Sequence, residues 1–437
     1  MKFITNIPAD RFNAFAAKHQ KNHFLQSYEW GVFKSKSPDW SFDTVGLEDE
    51  NGQLVAGALV LLRQLPLIKR PFIYIPRGYL IDFSQKQLVE TFTKSMKQYA
   101  QQKKAIFIKI DPDIKYIDRT VDGEKIQGGL DNQQLVQHLI DLGYHHLGFT
   151  QDFDSSIQPR YTFRLDLTPS TKDLLKGCQS KTRYNIKVAQ KKGIEIIEGT
   201  REDLKTFESI MRVTGERDGF LTRPLTYFED MYDTLAPSGM CKLYLAKLNT
   251  EQALTSIKQE LNLTEKSIQN LQVQLDNEEL TEKKRIKLQN KLEPELNKQK
   301  NLIQQQEELK KLYDQHPEGI TMSGIITTYF GNKSWYLYGA SDNVYREFMP
   351  NYDIQWVAFT EAKEAGYEIY DFFGISGKTD ESDPLYGLYR FKKGFGGEFT
   401  EFIGEFDYVI SPLGYWIWTK LLPEFKKFKK KLRNKKH

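Results

Sequence analysis

Leu254-Thr-Ser-Ile257-Lys-Gln-Glu-Leu261-Asn-Leu-Thr264-Glu-Lys-Ser-Ile268-Gln-Asn-Leu271-Gln-Val-Gln-Leu275 sets the architecture of this chain. The numbered positions recur at spacings of 3, 4, 3, 4, 3 and 4, the seam of a coiled coil. The stretch lies within residues 249–312, which hold no aromatic residue and no glycine in an otherwise aromatic-rich sequence. It reads as one long helix. A second arm from about Glu279 to Tyr313 carries Leu288, Leu292, Leu302, Leu309 and Tyr313 on one stripe, and Asp276-Asn277-Glu278-Glu279 supplies turn and N-cap residues between the arms. The pair is expected to form an antiparallel hairpin about 40 Å long at 1.5 Å per residue. It should project as a stalk, with Pro294 kinking or locally unwinding the second arm.

The flanks show where the stalk is planted. Cys241 to Leu248 alternates like a strand, and Ile320 to Phe330 is a β-branched run, so the hairpin interrupts a sheet. Upstream, a helix from Ala9 to Lys21 precedes strands near Asp43 to Leu47, Val55 to Leu65 and Phe72 to Arg77, a helix from Ser84 to Lys103, and a strand ending in Asp111-Pro-Asp113. A similar order recurs: a strand from Arg160, a helix from Thr171 to Lys192, a strand from Ile194, a helix from Arg201 to Asp218, the hairpin-bearing strands, Ser334 to Ser341, a helix from Tyr352 to Gly366, and the strand Ile369 to Gly374. Two related α/β modules are the simplest organisation. The division expected is 1–155 for the first, 156–248 with 317–410 for the second, 249–316 for the coiled-coil arm and 411–437 for a tail.

Composition excludes several classes. The 437 residues are 39% hydrophobic and 27% charged, with no apolar run near the roughly 20 residues of a membrane span. Met1 to Pro8 lacks the apolar region of a signal peptide, so a cytoplasmic location is expected. Cys178 and Cys241 form no CxxC, and the seven histidines no HExxH, so neither a disulfide framework nor a metal site is indicated. The net charge of +4 hides a tail, Lys420 to His437, with nine Lys or Arg and one acid. Preceded by Tyr415-Trp416-Ile417-Trp418, this tail reads as an interfacial membrane anchor, as a solvated basic end, or as a nucleic-acid contact.

Segments spread along the chain carry a resemblance. They are Leu25-Gln-Ser-Tyr-Glu-Trp30, Lys109-Ile-Asp111-Pro, Ser180-Lys-Thr-Arg183-Tyr-Asn-Ile-Lys187, Tyr338-Gly-Ala-Ser341, Met349-Pro-Asn-Tyr352, Tyr370-Asp371-Phe-Phe-Gly374 and Gly387-Leu-Tyr-Arg-Phe391-Lys392-Lys-Gly-Phe-Gly-Gly397. In this order they resemble the Fem family of peptidoglycan interpeptide-bridge aminoacyltransferases (FemA-, FemB-, FemX- and MurM-like). The resemblance implies an α/β (α+β) fold of two acetyltransferase-like (GNAT-like) domains with a helical arm where the stalk lies. It also implies a reaction without cofactor or ATP, in which an aminoacyl group (Gly, Ala or Ser) leaves its ester on tRNA and forms an amide with a stem-peptide amine of a peptidoglycan precursor. The acceptor is lipid II or UDP-MurNAc-pentapeptide; the tail favours lipid II at the inner face of the membrane.

The resemblance also distributes roles. Phe391-Lys392 matches the pair at the reacting centre, where an ammonium can hydrogen-bond the oxyanion; the plain reading of Lys392 is a strand-end surface charge. Asp111 matches an acid near the incoming amine, and is otherwise a turn residue. Lys34, Arg223 and Tyr227 match positions that contact the diphosphate and sugar of the precursor, suitable chemistry for a diphosphate, with Arg217 a rival for Arg223. Tyr338 and Asn351 are further substrate candidates. Lys181, Arg183 and Lys187, with Lys284 and Arg285 on the stalk, are the tRNA candidates. Two alternatives stand beside this reading. A CoA-dependent N-acyltransferase is disfavoured because Lys393-Gly394-Phe395-Gly396 lacks the preceding Arg or Gln of a pyrophosphate loop, and a scaffold has little use for the motifs of residues 338–397.

Overall fold

The computed structural model describes residues 1–65, 70–153, 156–277 and 280–421. Its strands form two mixed sheets. In the first, Lys2–Thr5, Trp40–Glu48, Leu54–Gln64, Pro71–Ile75, Phe107–Ile110, Phe406–Val409 and Tyr144–His146 lie side by side in that order. In the second the order is Lys115–Asp118, Glu398–Phe402, Tyr161–Asp166, Ile369–Ile375, Lys333–Ser341, Ile320–Phe330, Cys241–Leu248 and Ile194–Gly199. Each sheet contains one parallel pair, which needs a long crossover. Lys86–Gln102 supplies it between Pro71–Ile75 and Phe107–Ile110, and Pro350–Glu364 between Lys333–Ser341 and Ile369–Ile375. Lys86–Gln102 can pack on its sheet because Leu88, Val89, Phe92, Met96 and Tyr99 share one buried face.

Strand membership crosses residue 155 in both directions. Lys115–Asp118 joins the second sheet and Phe406–Val409 the first. These segments pass the junction together, with Ile110 opposite Phe406 on one side and Lys115 opposite Phe402 on the other. The junction is also apolar: Trp335, fully buried, packs on His23 and Phe24 with ring centroids 4.5 and 5.1 Å apart. Lys333 Nζ donates to the carbonyls of Gln20 and Asn22 across the same boundary.

The stalk consists of Thr250–Leu275 and Glu282–Gln315. Asn249 caps the first helix by accepting from Gln252 N at 3.0 Å. Thr250 Oγ1 bonds the His316 carbonyl at the base, and Glu260 pairs with Lys298 further out, so the arms are antiparallel. Thr264 and Ile268 are buried against an opposite seam in which Leu302 and Leu309 are buried. The helix Glu282–Gln315 is not unwound at Pro294. Pro294 is exposed, so its ring needs no room in the seam and the carbonyl of Asn290 that loses its donor can turn to water. One expectation fails at Thr171 to Lys192, which is two helices, Thr171–Gly177 and Ser180–Lys191. The break is tertiary in origin: Gln179 is extended, and its N–H donates to Gly394 O at 2.8 Å.

Candidate functional site

Two groups of side chains converge on the strand Lys333–Ser341. The first surrounds a narrow crevice at the sheet junction, lined by His23, Arg77, Thr162, Asp371, Phe373, Gly374 and Phe402 among others. Lys392 sits behind one wall. It belongs to the last turn of the helix Tyr386–Lys393, not to a strand end, and is 4% exposed, which corrects the surface-charge reading. Its Nζ donates to Gly374 O at 2.8 Å and Phe373 O at 3.2 Å and lies 5.3 Å from the ring centre of Tyr336. Burial pulls the ammonium down to about 7, opposed by Asp371. In its charged form one of its three N–H groups remains to donate.

Asp111 is tied to the crevice through Arg77, one of its lining residues. It is buried and accepts from Arg77 N at 2.6 Å and Tyr74 OH at 2.7 Å. Burial raises its carboxyl to about 6, against the pull of Arg77. No ion pair joins Asp111 to Lys392 among the described residues; Asp111 bonds Arg77, and Lys392 the carbonyls of Phe373 and Gly374, all three of which line the crevice. Arg77 is itself 4% exposed, lies over Phe402 and donates to Pro159 O, while its Nε has no partner among the described residues. Arg77 and Phe373 both hold positive φ, 54° and 58°, a strained conformation of the kind that gathers at working sites. Below them Arg164 bridges Asp113 and Asp371, each at 2.8 Å. Burial alone would raise the Asp113 carboxyl, but Arg164 and Lys333 outweigh it and hold it far below the usual range.

The second group is cationic and aromatic. Lys34 lies 5.1 Å from the Trp40 ring centre, Arg63 5.3 Å from the same ring, and Arg223 5.2 Å from the Tyr227 ring. Tyr227 OH meets Tyr338 OH at 3.1 Å. Arg223 immediately precedes Pro224, the N-cap of Leu225–Leu235. None of the three cations has a carboxylate within ion-pair distance among the described residues, and burial followed by repulsion from Arg223 and Arg63 lowers Lys34 to about 8. Arg217, the rival, is engaged with Asp218 and Asn343. The two groups are linked by one strand, Tyr336 facing Lys392 and Tyr338 facing Tyr227. A bulge lies between these two tyrosines. Gly339 is required there, since a Cβ would collide with the Tyr336 hydroxyl.

The remaining candidates are more dispersed. Phe391 packs on Tyr352 and Phe395, both at 5.2 Å, which places Asn351, half-buried in the first turn of Pro350–Glu364, at the Lys392 end. Lys181 and Lys187 are exposed around Tyr184 on Ser180–Lys191. That helix is pinned beside Lys392 because Gly394 leaves room for Thr182. Arg183 instead turns inward to the carbonyls of Lys176 and Cys178, capping the preceding helix. Lys284 and Arg285 lie in the first turn of Glu282–Gln315, some 45 Å from the stalk base at 1.5 Å per residue, and do not converge with them. The amides of Gly394, Phe395 and Gly396 bond back to Arg390, Lys392 and Lys393 at a helix C-terminus. This is the wrong helix end, with its donors spent, for a pyrophosphate.

Arg63 and Arg77 were not singled out by sequence. Arg77 could have been, as an arginine at a strand end before glycine; Arg63 has no such signal. Among the described residues no cluster of His, Cys, Asp or Glu could hold a metal, and no helix is long and apolar enough to cross a membrane.

The FemAB family model matches residues 7–422. The chain is 34% identical over 437 residues to "Lipid II:glycine glycyltransferase" of Staphylococcus aureus strain bovine RF122 / ET3-1, covering 99% of this chain and 98% of the relative, and equally similar to that of strain MSSA476. Among solved structures, that of FemX superposes with a TM-score of 0.78 at 33% identity, covering 95% of this chain and 99% of FemX. With likeness of sequence and fold both running end to end, the chain belongs to the FemAB family.

Proposed function

We propose that this chain transfers glycine from glycyl-tRNA to the stem-peptide amine of lipid II, an aminoacyltransferase step in interpeptide-bridge synthesis. The observation that carries the reading is the likeness, over nearly the whole of both chains, to the lipid II:glycine glycyltransferase of Staphylococcus aureus. The site chemistry suits it. Attack of the amine on the ester carbonyl forms the C–N bond and develops an oxyanion, which the third N–H of Lys392 stabilises. Asp111 orients the amine or takes its proton, and collapse breaks the ester C–O bond, the ribose oxygen leaving as a hydroxyl. No nucleophilic side chain is required, because the ester already carries the driving energy.

Lys34, Arg63 and Arg223 hold the diphosphate of the acceptor, with Tyr227 and Tyr338 on its sugar side. Lys181 and Lys187 meet the tRNA backbone near the reacting centre. The acceptor being lipid-linked, the enzyme works at the inner face of the membrane, and residues 411–437 help keep it there. The test is a mixture of purified chain, glycyl-tRNA and lipid II without ATP. One glycine added to lipid II is expected; unchanged lipid II, with intact glycyl-tRNA remaining, would overturn the reading.

A further inference from the structure

An apolar rim flanks the cation group on two sides. On one side the loop 219–224 carries Phe220, 47% exposed, and Leu221, 99% exposed, two residues before Arg223. On the other the helical stretch Pro412–Trp416, continuing as Ile417–Leu421, is two-faced. Tyr415 and Trp418 turn inward onto Phe107 and Phe72, at 5.3 and 5.9 Å, whereas Leu413, Trp416 and Leu421 are 71%, 54% and 52% exposed and lie beside exposed Lys420. The two sides rest on one core, through the buried rings of Phe72 and Phe33. Trp418 touches Phe72, Phe72 lies 6.2 Å from Trp40, Trp40 carries Arg63 and Lys34, and Lys34 sits on Phe33, which meets Tyr227 beneath Arg223.

We propose that this band is a docking face for an anionic phospholipid bilayer, with Leu221 and Phe220 inserting on one side and Leu413 and Trp416 on the other. Three observations select a bilayer. A leucine exposed to 99% beside unpaired cations has no role in a nucleic-acid contact, which rests on charge and stacking. Cations lying on aromatic rings beside exposed tryptophan suit an interface that is apolar below and anionic above. Where the rim ends at Leu421, the sequence continues through residues 422–437 with eight Lys or Arg and one acid, complementary to an anionic surface. That the band brings a lipid-borne diphosphate to Lys34 and Arg223 rests on the reading above; the bilayer contact does not.

The test is sedimentation of the full chain with phosphatidylglycerol–phosphatidylcholine vesicles, without substrates. Wild type is expected to bind, more weakly in salt and on phosphatidylcholine alone. Leu221→Asp and Trp416→Ser should each weaken binding about tenfold, with melting temperature and glycine transfer to detergent-solubilised lipid II, free of any bilayer, unchanged. Failure of that transfer in wild type as well would count against the proposed function and leave vesicle binding to judge this inference. The inference is overturned if wild type does not bind, if the double variant binds as wild type does, the basic tail alone then sufficing, or if tRNA abolishes binding while Leu221→Asp does not change it.

Discussion

Replacing Lys392 by methionine keeps the shape of the side chain and removes its N–H groups. Two of these are held by Phe373 O and Gly374 O, so the loss to the reaction is the third, the donor left for the oxyanion. Removing one such donor costs about 100- to 1000-fold in kcat, roughly 3 to 4 kcal/mol. Stability supplies an independent check on its sign. With burial holding the ammonium near 7 rather than its ordinary 10.5, the folded chain has released a proton that the unfolded chain still holds between those values. Stability contributed by this group therefore rises with pH across that window. At about 1.4 kcal/mol per tenfold change in proton affinity, the rise is on the order of 5 kcal/mol. The Lys392→Met variant lacks it, so the wild type's melting temperature should climb relative to the variant's from pH 7 to pH 9. The activity assay is kcat/KM for glycine transfer across pH, in which the wild type should decline above about 7 as the ammonium is lost. A variant that retains more than a tenth of wild-type activity, or a wild type whose relative stability is flat across the window, would refute the reasoning.

Further outcomes follow from the same geometry. With its carboxyl near 6, Asp111 should give kcat/KM an acid limb at about that pH; Asp111→Asn should lower activity about 100-fold or more and abolish the limb, as pH profiles of both proteins would reveal. Arg223→Ala and Arg63→Ala should each raise KM for lipid II about 10- to 100-fold with kcat changed far less, the worth of one charge-assisted hydrogen bond, and Arg223→Ala should let Lys34 titrate above 8. Lys181→Ala with Lys187→Ala should raise KM for glycyl-tRNA and flatten its dependence on salt. Gly394→Ala should lower melting temperature and activity together, because its Cβ meets Thr182 Oγ1, and Thr182→Ala should restore both.

Much of the architecture could be read from local pattern. The first stalk arm follows a 3–4 repeat that only a coiled coil explains, whereas its partner seam includes half-buried Glu295, Gln299 and Gln306, so only its leucines announced it. The break at Cys178 had no local sign, since its cause is the carbonyl of Gly394, far along the chain. The two strands exchanged at the junction are short and ordinary in composition, and only their pairing reveals them. For the site, sequence named Lys34, Arg223, Tyr227 and Tyr338, which the fold gathers, and Asp111 and Lys392, each of which it bonds to residues lining one crevice. It could not show that Lys392 is buried, because a glycine-rich run after two lysines reads as surface. Nor could it show that Arg77, whose backbone N–H bonds Asp111, leaves Nε unpartnered among the described residues, since a single arginine signals nothing until three dimensions supply its neighbours.

The most direct measurement offers the purified chain lipid II and UDP-MurNAc-pentapeptide in equal amounts with a pool of aminoacyl-tRNAs, and locates the added mass by tandem mass spectrometry. The account predicts one glycine on the side-chain amine of the third stem residue of lipid II, with the soluble precursor untouched and Lys392→Met leaving both unmodified. A glycine on the soluble precursor, a different amino acid, or equal product from Lys392→Met would contradict it.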